Sequence, residues 1–170
     1  MSLITILTGP SASGKNTVGY AYARQFCQRC AVLDGDQVRG MYAQPHIAPW
    51  HGDEGLRQHQ IGARHAAMLA RSFNAMGLEV VILDVLWADL PAIYRDELKD
   101  FQIRIVRLLP TLDECLRRHH LRAPSISDDE LRWTYNHSAD LTDYDLSRDT
   151  THLSPEQVAL WLSKRQISEQ

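Results

Sequence analysis

A glycine-rich segment near the start of the chain has the residue types and spacing that bind phosphate. It follows an apolar run, residues 3–7, and has the Gly-x-x-x-x-Gly-Lys spacing. Such a turn lets backbone N–H groups converge on an anion, and the N-terminus of a following helix favours negative charge. The lysine supplies a positive charge for the β- and γ-phosphates. The pattern predicts a P-loop whose nucleotide-binding residues are Gly9, Pro10, Ser11, Ala12, Ser13, Gly14, Lys15, Asn16 and Thr17.

Asn16 departs from the usual pattern, in which a Ser or Thr follows the lysine and contacts Mg²⁺. Thr17 supplies a hydroxyl one position later. An amide oxygen can bind a hard cation, but Mg²⁺ often keeps several waters and binds substrate phosphates instead. We therefore expect Mg²⁺ to be held mainly through phosphates and water, with Asn16 as an indirect ligand.

A second group of polar residues follows the apolar run at residues 31–33. Asp36 and Arg39 are three positions apart, so they would share one face of a helix that begins there. One can then accept a proton from a hydroxyl while the other binds an anionic or oxygen-rich substrate. A helix-capping Asp paired with an Arg would explain the same residues without catalysis. Asp34 precedes them and is the weaker candidate for the base.

The rest of the chain predicts alternating strands and helices. Strands are expected near residues 79–84, 102–109 and 144–150, and helices over residues 15–26, 54–76, 91–99, 111–121, 127–137 and from 154 onward. This alternation predicts a parallel sheet wrapped by helices, with ligands at the carboxyl ends of the strands. On helix 54–76, we expect the core face to carry Ile61, His65, Met68, Leu69, Phe73 and Met76. The irregular residues 44–55 suit a loop that covers a substrate.

With these motifs in place, the chain resembles the small P-loop kinases that phosphorylate hydroxyl groups. These are the adenylylsulfate kinases, gluconate kinases, chloramphenicol phosphotransferases and the kinase domain of polynucleotide 5′-hydroxyl kinases. The resemblance rests on the P-loop, on Asp34-Gly35-Asp36-x-x-Arg39, on Asp84 and on a late arginine-bearing helix. It implies a three-layer α/β P-loop NTPase fold with a parallel sheet of about five strands and a helical lid near residues 115–140.

The same resemblance implies roles for individual residues. Asp36 would be the general base, while Arg39 and Asp34 would bind the acceptor. Asp84 would orient Mg²⁺ or its waters, although an Asp at a strand end also serves to cap a helix. Arg118 and Arg122, one helical turn apart, would close over the transferring phosphoryl group. A solvated basic helix face would explain these two arginines equally well.

Composition restricts the remaining possibilities. The 170 residues, 44% of them hydrophobic, fit a single domain, and a formal charge of −3 argues against a strongly basic nucleic-acid binder. No run is long enough to span a membrane, and three cysteines make no disulfide framework, so we expect a cytoplasmic protein.

The sequence therefore predicts an ATP- and Mg²⁺-dependent phosphotransferase that acts on a hydroxyl of a small molecule. Two alternatives stay open, namely a polynucleotide 5′-hydroxyl kinase and a nucleotide-binding module or slow ATPase without an acceptor. The sequence identifies neither the acceptor nor the oligomeric state.

Overall fold

Strands and helices alternate through residues 2–122 and 125–165, which are the residues that the computed structural model describes. The strands are β1 (Ile4–Thr8), β2 (Cys30–Asp34), β3 (Glu79–Leu83), β4 (Ile103–Leu108) and β5 (Leu146–Arg148). The helices are α1 (Lys15–Phe26), α2 (Gly35–Gly40), α3 (Gly52–Ala75), α4 (Leu90–Glu97), α5 (Leu112–His120), α6 (Asp128–Asp140) and α7 (Pro155–Ser163). Each predicted strand and helix is present, and its ends lie within a few residues of the predicted ones.

The five strands form one sheet in the order β2-β3-β1-β4-β5, and every neighbouring pair is parallel. Strand β1 lies at the centre, where Ile4 is paired with Val80 on one side and with Ile103 on the other. All residues of β1 are buried, as expected for a strand that is covered by helices on both faces. The predicted three-layer α/β P-loop NTPase fold is confirmed.

Two apolar cores lie on opposite faces of this sheet. One packs α3 and α4 against the sheet, and the other packs α1 and α7 against it. Helix α3 presents a face of small residues to the first core, namely Ala63, Ala66, Ala67 and Ala70, each with no exposed surface. Their spacing is the i, i+3, i+4, i+7 pattern of one helix face.

The predicted core face of α3 is therefore wrong in part. His65 is exposed, and Met68 and Met76 expose 59% and 63% of their surface. Only Leu69 and Phe73 of the predicted set pack against the core. The prediction followed the large apolar side chains, whereas a helix that lies close to the sheet accommodates small ones there.

Two arginines of β4 hold helices α6 and α7 against the sheet. Arg104 is fully buried and donates hydrogen bonds to the Thr5 hydroxyl and to the carbonyl of Leu162 in α7. Arg107 donates to the carbonyls of Ser138 and Leu141 at the end of α6. Because the last carbonyls of a helix lack intrahelical partners, Arg107 stabilises that end and holds α6 against the sheet. Within the described residues, no helix combines the length and the apolar character needed to cross a membrane.

Candidate active site

The P-loop connects the central strand to α1 and depends on two glycines. A Cβ at Gly9 would lie 2.2 Å from the carbonyl oxygen of Leu108, so only glycine fits this close approach. Gly14 is the N-cap of α1 and has φ near 92°, in the left-handed region that favours glycine. It offers no side chain to the first N–H groups of α1. Those groups are therefore available to an anion at the start of the helix.

A cavity of about 310 Å³ lies over this loop, and we call it the P-loop cavity. It is lined by Ser11, Ala12, Gly14, Lys15, Asn16, Thr17, Asp36, Arg122 and Ser125. Burial lowers the pKa of Lys15, while the negative charges of Asp36, Asp84 and Asp34 act in the opposite direction. The cavity combines two cations with the start of a helix, which is the electrostatic setting that phosphates need.

A second cavity, of about 460 Å³, opens on the other side of Gly14 and Thr17, and we call it the outer cavity. Arg118 lines it and is held by four hydrogen bonds, one of them a 3.4 Å contact with the carbonyl of Thr151. It donates hydrogen bonds to the carboxylate of Glu114 at 2.7 Å, to the carbonyl of Ser13 at 3.1 Å and to the carbonyl of Thr150 at 2.9 Å. The guanidinium therefore supports the wall beside the P-loop.

The structure does not bring Arg118 and Arg122 together. Helix α5 ends at His120, so Arg122 lies beyond the helix and faces the P-loop cavity, while Arg118 faces the outer cavity. The prediction placed the two arginines on the helix and the turn after it, one helical turn apart, and expected both to close over the same phosphoryl group. Arg122 stays a candidate to bind the transferring phosphoryl group, and Arg118 supports the P-loop through the carbonyl of Ser13.

A third cavity, of about 100 Å³, lies beyond the P-loop cavity, and we call it the tryptophan cavity. Its lining is Ser11, Lys15, Asp36, Arg39, Pro49, Trp50, His59, Val85, Trp87, Ser125, Ile126, Trp133 and Thr134. Pro49 and Trp50 come from the irregular segment that the sequence predicts as a substrate-covering loop. Gln58 holds this segment, because its side chain bonds to the N–H of Ile47 and to the carbonyl of Pro45.

Asp36 lines both the P-loop cavity and the tryptophan cavity, and Arg39 lines the tryptophan cavity. They form an ion pair within α2, and the Asp36 side chain remains 69% exposed. Asp34 is turned away from both cavities. Its carboxylate caps α2 by accepting from the N–H of Asp36 at 2.9 Å and also accepts from the side-chain amide of Asn16 at 2.8 Å. Asp34 therefore lies beside the P-loop rather than among the residues that line the tryptophan cavity.

Asp84 is buried behind these cavities and both of its carboxylate oxygens are occupied. One accepts from His59 Nε2 at 2.9 Å and from the N–H of Val85, and the other accepts from the Tyr94 hydroxyl at 2.8 Å. Arg39 Nη1 lies 3.8 Å away. Burial raises the pKa of Asp84, but His59, Arg39 and Tyr94 outweigh that effect and lower it to about 2. These contacts give Asp84 the geometry of a residue that positions its neighbours, rather than the predicted role toward metal waters.

His59 completes this buried network and was missed in the sequence. Its Nδ1 accepts from Trp87 Nε1 at 3.1 Å, because an indole nitrogen can only donate. The proton must therefore lie on Nε2, which donates to Asp84. His59 is 1% exposed and shares the buried face of α3 with Ala63, Ala66 and Ala70. The alanine periodicity was the signal that could have found it.

Helix α6 packs directly onto the P-loop. The N–H of Ser11 donates to the Thr134 hydroxyl at 3.1 Å, and Ala12 packs with Cys115 and Leu131. A capping box between Ser127 and Glu130 begins the helix. The predicted lid at residues 115–140 corresponds to most of α5, all of α6 and their connection, of which residues 123 and 124 lie outside the described residues.

The oxygen atoms near the P-loop could supply only some of the ligands of a hard cation. Within residues 2–122 and 125–165, no group of three or more His, Cys, Asp and Glu side chains could hold a metal ion. The side-chain N–H of Asn16 donates to Asp34 Oδ2, and no hydrogen bond among the described residues involves Asn16 Oδ1, which lies next to the P-loop. Such a pair fits Mg²⁺ whose other ligands are phosphates and waters.

The fold and this loop define a class, the P-loop NTPases, and solved structures of P-loop kinases have the same architecture. An APS kinase from Mycobacterium tuberculosis, solved with AMPPNP and APS, is 19% identical with a TM-score of 0.69, over 96% of each chain. A sugar kinase from Janibacter is 15% identical with a TM-score of 0.72, over 96% of this chain and 94% of that one. A shikimate kinase from Bacteroides thetaiotaomicron is 18% identical with a TM-score of 0.68, over 95% and 97%.

These similarities confirm the P-loop kinase fold that the motifs predicted. No protein-family model matches the chain, and no curated protein matches it.

Proposed function

We propose that this protein is an ATP-dependent phosphotransferase that moves the γ-phosphoryl group to a hydroxyl of a small molecule. The observation that carries the proposal is the order of the three cavities. The outer cavity and the P-loop cavity share Gly14 and Thr17, and the P-loop cavity and the tryptophan cavity share Lys15 and Asp36. A nucleotide with its base in the outer cavity would point its γ-phosphate at the residues shared with the tryptophan cavity.

Asp36 is the proposed general base. One of its oxygens is paired with Arg39, and no hydrogen bond within the described residues involves the other oxygen, Oδ2. As the acceptor hydroxyl attacks the γ-phosphorus, Oδ2 takes its proton and the bond to the leaving ADP breaks. Catalysis of this kind rests on positioning and electrostatics more than on covalent chemistry.

Lys15, Arg122 and the N–H groups at the start of α1 would stabilise the charge on the transferring group. They line the P-loop cavity and are cations or oriented donors. Arg39 would hold both Asp36 and the acceptor, while Asp84 and His59 would fix Arg39 and the cavity wall from behind. Asn16 and Asp34 would contact Mg²⁺ through water or phosphate, and the ion would neutralise charge on the β- and γ-oxygens.

The size of the tryptophan cavity favours a small acceptor. At about 100 Å³, it fits one ring or a short chain, and Pro49, Trp50 and Trp133 are among the residues that line it. Cytoplasmic residence remains part of this proposal, because ATP is supplied there.

The test is a transfer assay with γ-labelled ATP against sugars, nucleosides, antibiotics and 5′-hydroxyl oligonucleotides. We expect label in one class of small molecule and a loss of about two to three powers of ten in Lys15→Ala. The matched control is Lys99→Ala. This exposed lysine lies between α4 and β4, at the amino ends of the strands, whereas the P-loop lies at their carboxyl ends. Label that appears only as inorganic phosphate would instead support a slow ATPase, and label on oligonucleotides would support a polynucleotide kinase.

A further inference from the structure

The tryptophan cavity has an unusual aromatic wall. Trp50, Trp87 and Trp133 come from three separate segments and meet there, each only half-buried. The Trp87 and Trp133 ring centroids are 4.8 Å apart in an edge-to-face arrangement, and Trp50 lies 6.3 Å from Trp133. The wall therefore presents aromatic surface to a cavity next to the phosphate site.

Polar contacts hold this wall in one arrangement. The Trp87 N–H is fixed by His59, which is fixed in turn by Asp84. Trp133 is stacked on His137 with centroids 3.8 Å apart. A preorganised aromatic surface favours binding of a ring, because the tryptophan side chains lose little conformational entropy when the ligand binds.

The charges around the cavity are balanced before any acceptor enters. Arg39 is paired with Asp36 and lies 3.8 Å from Asp84. Lys15 lines both this cavity and the P-loop cavity, so the phosphates of a bound nucleotide would neutralise its charge. With a nucleotide bound, the cavity would therefore offer no cation without a negative partner to an acidic acceptor, and the remaining phosphate charge would be negative. An acid would enter against repulsion at short range.

One donor of a residue that lines the cavity is left without a partner. Arg39 Nε–H is buried and has no hydrogen-bond partner among the described residues. A buried donor without a partner costs free energy, and a ligand oxygen can supply the missing acceptor. A carbonyl or hydroxyl of a neutral molecule is sufficient for this purpose.

Resting on the proposed function, we infer that the acceptor is an uncharged molecule that places the face of a ring against the tryptophan wall and its hydroxyl beside Asp36. The chemistry is shared by two sources, an aromatic ring such as a nucleobase or phenyl group and the C–H face of a neutral sugar. Hydroxy acids, whether sugar acids or cyclic carboxylic acids, are excluded as the preferred class.

The first measurement compares kcat/KM of the unmodified protein for four acceptors with γ-labelled ATP. They are uridine, glucose, gluconate and shikimate. We expect one of the two neutral acceptors to exceed both acids by about ten-fold or more. The better of uridine and glucose identifies the ring source. A preference for either acid overturns the inference and leaves the proposed function standing, whereas label in inorganic phosphate alone overturns the proposed function as well.

The second measurement removes the aromatic face. Trp133→Leu should raise KM for the favoured neutral acceptor by about ten-fold, as loss of ring stacking does elsewhere, and should change KM for ATP by less than two-fold. Trp87→Phe keeps an aromatic ring but loses the N–H that donates to His59. It should raise KM for the neutral acceptor by a smaller factor. The matched control is Trp161→Leu in α7, which packs in the core on the other face of the sheet. An unchanged acceptor KM in both wall variants would contradict the aromatic wall.

Discussion

At the scale of single residues, Asp36 differs from the other carboxylates near the P-loop. Asp34 and Asp84 have both oxygens occupied by protein donors, whereas Asp36 is exposed and shares its cavity wall with Lys15. A general base must have an oxygen that can reach the acceptor. The assignment of the base to Asp36 therefore depends on accessibility as well as on its position in the motif.

Replacing Asp36 separates catalysis from binding. We expect Asp36→Asn to lower turnover by about two to four powers of ten, as removal of a general base does, with little change in ATP affinity. Asp34→Asn should cost less, because Asn is also a good helix cap. Nucleotide binding and initial rates of both variants provide the test. A fall in ATP affinity as large as the fall in turnover would mean that Asp36 serves the nucleotide or its metal.

Asp84 affects stability with a definite pH dependence. Its folded-state pKa, about 2, lies below the ordinary value of 3.8, so the carboxylate stabilises the fold above pH 4 and loses that effect as the pH falls toward 2. In Asp84→Asn, either the amide N–H faces the His59 N–H or one acceptor oxygen of the carboxylate is lost. We expect this change to lower the free energy of unfolding by about 1–3 kcal/mol.

The measurement is chemical denaturation of the protein and of Asp84→Asn across pH. The difference in unfolding free energy should shrink by about 2 kcal/mol between pH 5 and pH 2. The Mg²⁺ concentration for half-maximal activity should be unchanged in this variant and raised in Asn16→Ala. A constant stability gap, or a Mg²⁺ requirement that changes only in Asp84→Asn, would reinstate Asp84 as a metal-site residue.

At the scale of elements, α5 and the turn after it divide their arginines between two cavities. Arg118 supports the P-loop through the carbonyl of Ser13, and Arg122 faces the phosphate region. We expect Arg118→Ala to raise KM for ATP with a smaller effect on kcat. Arg122→Ala should lower kcat with a smaller effect on KM, because charge develops on the transferring group.

Steady-state kinetics of the two variants, with Arg71→Ala as control, decide this division. Arg71 is exposed on α3 and lines none of the three cavities, so its loss should change little. Equal falls in kcat for Arg118→Ala and Arg122→Ala would restore the original idea of two arginines that act together.

The elements themselves could be predicted well because apolar runs and helix periodicity report directly on burial. Strand β3 and helix α1 follow from their local patterns, and the P-loop follows from its spacing. The core face of α3 could not be predicted by the same means, since it is made of alanines rather than large residues. The junction of His59, Asp84 and Trp87 was also hidden, because it joins residues 25 and 28 positions apart through packing alone.

At the scale of the whole molecule, charge argues against an extended polyanion as acceptor. The formal charge is −3, and α6 begins with Asp128, Asp129 and Glu130 at the rim of the site. We expect transfer to a 5′-hydroxyl oligonucleotide to be at least ten-fold less efficient than transfer to the best small acceptor, at every salt concentration. Efficient oligonucleotide transfer that weakens steeply with salt would report release of counterions from a phosphate backbone and would contradict this.

The central claim is that the γ-phosphoryl group goes to an acceptor hydroxyl and not to water. The most direct measurement follows ADP, inorganic phosphate and phosphorylated acceptor together in one reaction, with and without the best acceptor from the screen. We expect the acceptor to accelerate ADP formation, and ADP and phosphate ester to appear one for one. ADP that always equals inorganic phosphate, at a rate indifferent to acceptor, would contradict it.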